Sequence, residues 1–429
     1  MKRRDFLKAA AALGGMGALP LTAAAQSTAP RNAGRVVVIG GGFGGATAAK
    51  YLRMWSGDRL EVFLVDRDQQ FVSCPLSNLV LGGSRRMENI SRGYDNLRAR
   101  GVRVMGDEVT EIDPQRRRIK FAHRFADIDY DRLVLAPGVD FIYGDIEGLD
   151  ENARKTVLHA WKAGPDTVVL RRQLESMRDG GVYVLSIPRA PYRCPPGPYE
   201  RACQIAWYFK QAKPKSKVLI LDANEDVVSK PALFKAAWKE LYPGIIEYRP
   251  NSEVKTVDVK GMAVKTDFDT IKGDVLNVLP PMRAADIARA IGLTGQSAGS
   301  RWCDVDWLTM ASTVHQNIHV LGDATLSAQA MPKSGHMANQ HGKIAAAAIV
   351  ELMNGRAPDP DTAPNIMNTC YSFVSDKEAM HVASVHRYDP ARKTMAAVAG
   401  AGGLSARRSD VEGLYAMAWA QNIWEDMLG

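Results

Sequence analysis

The chain predicts an α/β protein: two Rossmann-like dinucleotide folds, the first split by insertion of the second, plus a C-terminal interface region. Three observations predict it. A G-x-G-x-x-G turn lies between a strand and a helix near residue 40. A second strand–helix–strand rhythm recurs after residue 166 without the glycines. A late strand ends in Gly322-Asp323, ahead of a long helical stretch.

The first fold opens with the strand Arg35–Ile39, the turn Gly40-Gly41-Gly42-Phe43-Gly44-Gly45 and a helix to about Trp55. A second strand, Leu60–Val65, ends at Asp66. Each residue type has a physical task. Gly40 permits the tight turn, Gly42 lets the backbone approach a pyrophosphate, and Gly45 lets the helix pack close on the strand. Asp66 can accept from a ribose hydroxyl. Further on, a buried strand runs into Ala136-Pro137-Gly138, and His319-Val320-Leu321 runs into Gly322-Asp323. A helix follows over about Gly335–Met353.

These anchors assign residues 34–165 and 286–356 to the first fold and 166–285 to the inserted one. Residues 366–429 follow the Pro-rich linker Ala357–Pro364 as a C-terminal capping and interface domain. The inserted domain departs from the pattern at its turn, Ser186-Ile187-Pro188-Arg189-Ala190-Pro191-Tyr192-Arg193-Cys194-Pro195-Pro196, which contains no glycine. The backbone there cannot come close to a pyrophosphate, and the prolines remove N–H donors that would cradle it. The scaffold is kept; nicotinamide binding is lost.

The N-terminus stands outside this plan. Arg3-Arg4-Asp5-Phe6-Leu7-Lys8, a short apolar run and Ala23-Ala24-Ala25 make a cleaved export signal over residues 1–25, of the twin-arginine type, directed to the periplasm. Its removal takes four basic side chains and one acidic one, so the formal charge falls from +8 to +5. That balance, with no basic run, excludes a nucleic-acid partner and allows an acidic protein partner. After residue 25 no apolar stretch is long enough to span a membrane. No metal site is expected.

Export places the five cysteines (74, 194, 203, 303 and 370) in an oxidising compartment. Cys74 follows the strand ending at Asp66, in Phe71-Val72-Ser73-Cys74-Pro75, and reads equally as a buried thiol or as one facing a cofactor. Cys194 precedes a helix start at Pro195-Pro196, a position that favours thiolate. Glu200, on that helix's first turns, can shuttle a proton. Cys370 sits in Asn368-Thr369-Cys370-Tyr371-Ser372. Spacing alone cannot pair any of the five.

With these motifs assembled, the chain resembles the two-dinucleotide-fold flavoproteins, in which the Gly-Asp aspartate holds the ribityl or pyrophosphate part of FAD. More narrowly, Cys74 in C-P-L-S-N, Cys194 in R-C-P-P-G-P-Y-E, Cys370 in N-T-C-Y-S and Pro332-Lys333-Ser334-Gly335-His336 resemble the flavoprotein chain of flavocytochrome c sulfide dehydrogenase. Sulfide:quinone oxidoreductases are similar more distantly. The resemblance implies a periplasmic enzyme that oxidises hydrosulfide. It implies FAD bound covalently by a thioether to Cys74, and a redox-active disulfide between Cys194 and Cys370 served by Glu200. It also implies Trp424 near the flavin ring, with Lys333 at the helix start supplying positive charge to the ring. Cys203 and Cys303 are taken as structural thiols. No C-x-x-C-H occurs, so any haem comes from a c-type cytochrome partner. Two rivals stand beside this reading: a sulfide:quinone oxidoreductase, which needs an amphipathic surface that the tail Asp410–Leu428, with apolar residues but little basic character, poorly supplies, and a non-catalytic cytochrome-binding flavoprotein.

Overall fold

The structure, a computed structural model, describes residues 33–297, 300–362 and 365–429. The export signal expected over residues 1–25 lies outside them. Strands β1 (Arg35–Ile39) and β2 (Glu61–Asp66) flank helix α1 (Phe43–Trp55), and β3 (Arg103–Gly106) and β4 (Arg132–Leu135) follow. Helix α2 (Pro165–Ser176) leads into the inserted unit: β5 (Val182–Ile187), α3 (Gly197–Ala212), β6 (Lys217–Asp222), α4 (Pro231–Leu241), β7 (Ile246–Arg249) and β8 (Val275–Val278). The chain then returns through β9 (Ile318–Val320) and α5 (Gly335–Met353). It ends in strands β10 (Asn365–Phe373), β11 (Ala379–Asp389) and β12 (Thr394–Leu404) and helix α6 (Asp410–Leu428).

The first sheet has the order β9-β4-β1-β2-β3 and every pairing in it is parallel. The inserted sheet has the order β7-β6-β5-β8, again parallel throughout. Parallel strands covered on both faces need apolar residues at every position, which is why β1 reads Val-Val-Val-Ile. Val36 and Val38 pack on the side of α1 and α5, while Val37 and Ile39 join the core shared with the inserted domain.

Helices α1 and α5 meet at small residues. A side chain at Gly342 would place its Cβ 2.5 Å from the Gly44 carbonyl oxygen, and one at Gly44 would sit 3.1 Å from the Ala338 oxygen. This close crossing brings the N-terminal ends of both helices to one side of the sheet. The antiparallel sheet β10-β11-β12 was not anticipated from the sequence. Its last strand, Thr-Met-Ala-Ala-Val-Ala-Gly-Ala-Gly-Gly-Leu, is rich in weak strand formers and is defined by its pairing with β11.

Candidate active site

A cavity of about 760 Å³ opens at the carboxyl ends of the first sheet's strands. Gly40, Gly42, Asp66, Cys74, Cys194, Glu200, Gly322, Asp323 and Cys370 all line it. Gly45 does not. Its task is steric, since a Cβ there would lie 1.8 Å from the Gly40 oxygen. Gly40 itself takes φ +97°, a region that side chains avoid.

One side of the cavity is built for phosphate. Nothing lies within 4 Å of where a Cβ of Gly42 would be, so the backbone there faces open cavity. No side chain caps the start of α1, which leaves its first N–H groups and positive dipole end free for an anion. Asp66 steadies the turn: its Oδ2 accepts from Gly41 N at 2.5 Å and its Oδ1 from Asp68 N at 2.8 Å. Burial raises its carboxyl above the ordinary range, against those two bonds. Asp323 also lines the cavity, and its Oδ1 is buried with no hydrogen-bond partner among the described residues. An orphaned acceptor fits a hydroxyl of FAD, and the open backbone at Gly42 leaves room for its pyrophosphate.

The cysteines occupy the other side. Cys194 stands in the left-handed region at φ 58°, held by its N–H to the Lys333 carbonyl at 2.9 Å. Gly197 opens α3, and a Cβ on it would lie 2.8 Å from Cys194 Sγ. Only glycine there lets the sulfur rest on the helix's first turn. The expected thiolate is not favoured, however. Burial, then Cys370 and Glu200, push the Cys194 thiol up, and Arg193 opposes them. Cys370 lies mid-strand in β10, where Asn368 Nδ2 donates to its Sγ at 3.3 Å. Burial also raises this thiol, with Lys230 and Asn368 opposing. The structure carries all five cysteines as free thiols.

Glu200 sits between the two cysteine segments. Its Oε1 accepts from Phe373 N at 2.8 Å, and its Oε2 from Asn78 Nδ2 at 2.8 Å. Burial raises its carboxyl despite these bonds, so it holds a proton to higher pH than an ordinary glutamate. Cys74 lies in the loop before a short helix, its carbonyl accepting from Ser77 N and Oγ. Cys203 and Cys303 are buried in the core, as structural thiols would be.

Two expected site residues lie elsewhere. Lys333 does not line the cavity: Nζ donates to the Thr325 carbonyl and sits 3.8 Å from the Trp302 ring centroid. Its backbone carbonyl holds Cys194, and its ammonium, with Arg193, opposes the rise that burial gives the Asp323 carboxyl. Trp424 is buried in the core under Arg92, 4.2 Å from ring centroid to guanidinium carbon. Trp419, on the other face of α6, lines the cavity in its place and packs edge-on against His336 at 5.8 Å.

Sequence reasoning also missed Arg193 and Lys230. The Arg193 guanidinium reaches the Cys74 thiol and feels Asp323 and Cys194, and it donates to the Trp161 carbonyl. Its place beside Cys194, in a turn stripped of glycine, was a readable signal. Lys230 carried none, because it is 140 residues from its partner Cys370.

The parallel sheets, the glycine turn and the Gly-Asp that lines the same cavity define a two-dinucleotide-fold flavoprotein that binds FAD. The pyridine nucleotide-disulphide oxidoreductase profile matches residues 34–165. The chain belongs to the family of the flavoprotein chain of flavocytochrome c sulfide dehydrogenase. That family's central profile matches residues 167–280 and its flavin-binding profile residues 362–428. A sulfide dehydrogenase (flavocytochrome c) flavoprotein chain of Chlorobaculum thiosulfatiphilum is 56% identical over 46 residues, 11% of this chain and 94% of that sequence. The mitochondrial sulfide:quinone oxidoreductase of Dictyostelium discoideum is 23% identical over 304 residues, 69% of this chain and 66% of that protein. The solved sulfide:quinone oxidoreductase of Aquifex aeolicus aligns with TM-score 0.74 over 92% of this chain and 91% of that one. At 18% identity this last likeness is one of fold. A twin-arginine signal profile matches residues 1–20, so the protein is exported to the periplasm. No helix among the described residues is long and apolar enough to cross a membrane.

Proposed function

We propose that this flavoprotein is a periplasmic sulfide dehydrogenase that oxidises hydrosulfide at a Cys194–Cys370 disulfide and passes the electrons through FAD to a c-type cytochrome. The observation that carries the reading is that Cys194, Cys370 and Glu200 line the same cavity as Gly42 and Asp323, with Glu200 accepting from Phe373 N on the strand of Cys370. Bound FAD supplies a two-electron acceptor that can release electrons singly. The chain's own residues do the rest. Gly42 and the α1 N-terminus would hold the FAD pyrophosphate, Asp323 would take a hydroxyl, and Cys74 would anchor the cofactor as a thioether.

Hydrosulfide attack on the disulfide leaves a persulfide on one cysteine and a thiolate on the other. Glu200, protonated more readily than usual, hands a proton to or from the sulfur atoms beside it. The deciding experiment is anaerobic addition of sulfide to the purified protein, followed by cytochrome c and a soluble quinone offered separately. Flavin bleaching and rapid reoxidation by cytochrome c are expected. A flavin indifferent to sulfide makes the chain a non-catalytic binding subunit.

Quinone is the second reading for the acceptor, because α6 exposes an apolar row at Val411, Leu414 and Tyr415 that could meet a membrane. Faster reoxidation by quinone, with no cytochrome reduction, selects it. The thioether is checked by acid precipitation. Yellow colour stays in the pellet of the native protein and moves to the supernatant in Cys74→Ala.

A further inference from the structure

The inserted domain contributes a buried lysine for which the reaction above has no use. Lys230 ends the loop after β6 and opens α4 in the left-handed region, at φ 56°. Only 2% of it is exposed. Its Nζ donates to the Cys370 carbonyl and to Ser372 Oγ, each at 2.9 Å. No ion pair to it exists among the described residues. Two of its three donors therefore rest on neutral oxygens.

A buried ammonium with neutral partners is unfavourable, and burial pulls Lys230 down to about 8. Negative charge arriving beside it offsets that penalty, and the groups facing Nζ identify the source. Cys370 favours the charged lysine most, ahead of Glu200 on α3, Cys194 on the turn and Glu412 on α6. Reciprocally, Lys230 is the leading influence holding the Cys370 thiol down against burial, helped by Asn368 and Ser334 and opposed by Glu200. His336 on α5, which accepts from Thr369 N, is held neutral by burial, with its pKa near 4. Cys194 stands differently. Burial, Cys370, Glu200 and Cys74 raise its thiol against Arg193, and Arg193 is itself engaged with Cys74 and Asp323 ahead of Cys194.

We propose that Lys230 is a positioning residue that makes Cys370, rather than Cys194, the cysteine that departs as thiolate when hydrosulfide opens the disulfide. The inference rests on the disulfide reading above. Hydrosulfide sulfur bonds to Cys194 Sγ, the Cys194–Cys370 bond breaks, and its electron pair leaves on Cys370 Sγ. The hydrosulfide proton stays on the outer sulfur. The products are a Cys194 persulfide and a Cys370 thiolate. One negative charge is present before and after, and no outside oxidant enters. Exchange quickens as the leaving thiol becomes more acidic, so the lysine acts on the step through its leaving group.

The test uses the holoenzyme. Peptide mapping without reductant comes first: absence of a Cys194–Cys370 linkage overturns the functional reading itself, and its presence isolates the role of Lys230. After anaerobic opening of the bond by a phosphine, alkylation of each cysteine by iodoacetamide is followed against pH by mass spectrometry. In the wild type Cys370 should react at lower pH than Cys194. In Lys230→Met the Cys370 profile should move up by about one unit, roughly tenfold slower alkylation near neutral pH, with Cys194 unmoved. Lys230→Arg should restore most of the loss, and sulfide-dependent bleaching should slow in Lys230→Met by a similar factor. Equal or reversed order in the wild type overturns the proposal even where Lys230→Met fails to fold. So does an unchanged Cys370 profile in a folded, flavin-replete Lys230→Met.

Discussion

In the first dinucleotide fold, Asp66 ends β2 and accepts from two backbone N–H groups, Gly41 and Asp68, while lining the cavity. In the inserted fold, Asp222 ends β6 at the equivalent point and is fully buried. Its Oδ2 accepts from Tyr199 Oη at 2.7 Å and Tyr248 Oη at 3.1 Å, and its Oδ1 from Asn224 N and Nδ2 at 3.0 and 2.7 Å. Asn224 also ties down the turn, donating to the Pro188 carbonyl and accepting from Ala190 N. The same strand–turn–helix–strand scaffold thus has two fates. One turn leaves polar groups open for a ligand. The other has satisfied them internally and given its helix N-terminus to a cysteine. The inserted turn combines missing glycines with filled hydrogen-bond positions.

The comparison can be broken most severely at the glycines. Gly42→Val pushes its side chain into open cavity, so the fold should survive while flavin content falls to near zero. In the inserted turn, Ala190→Val lies on an exposed residue outside the cavity and should leave flavin content unchanged. Absorbance per chain, with circular dichroism as the folding control, reads both. If Gly42→Val keeps its flavin, the open side of the turn is not the phosphate seat.

Next comes the proton. Glu200→Gln should slow sulfide-dependent bleaching by about 10²-fold. Burial raises this carboxyl, so the limb of the pH profile that it causes lies above the ordinary glutamate value of about 4.3. Protonated Glu200 persists below that limb and is lost as pH rises through it; the variant should lack the limb. A limb retained in Glu200→Gln assigns it to another group.

The smallest effect sharpens the other half of the comparison. Tyr199→Phe removes a donor to buried Asp222 and should cost about 1–3 kcal/mol in denaturant unfolding. Micromolar NADH should bleach the flavin in neither the wild type nor this variant. NADH bleaching in Tyr199→Phe alone would show that the tyrosine hydroxyl, more than the missing glycine, closes the second site.

The sequence by itself determined the parallel α/β scaffold, the glycine turn and the span of α5, which begins at Gly335 and ends at Met353 as the pattern predicts. These features are local: glycine φ freedom, apolar runs in covered parallel strands, and helix periodicity. Cys194, Glu200 and Cys370 were named from chemistry and from resemblance, and the tertiary structure brought them to one cavity. Direction was a different matter. Trp419 and Trp424 differ by about 140° around a helix, and only the packing of α6 chose which one faces the cavity. Lys333 stands just before the start of α5 as expected, yet its side chain found Trp302 and the Thr325 carbonyl. Lys230 acquired its place beside Cys370 when α4 and β10 docked. Where a long side chain points depends on partners far along the chain, and no local pattern encodes that choice.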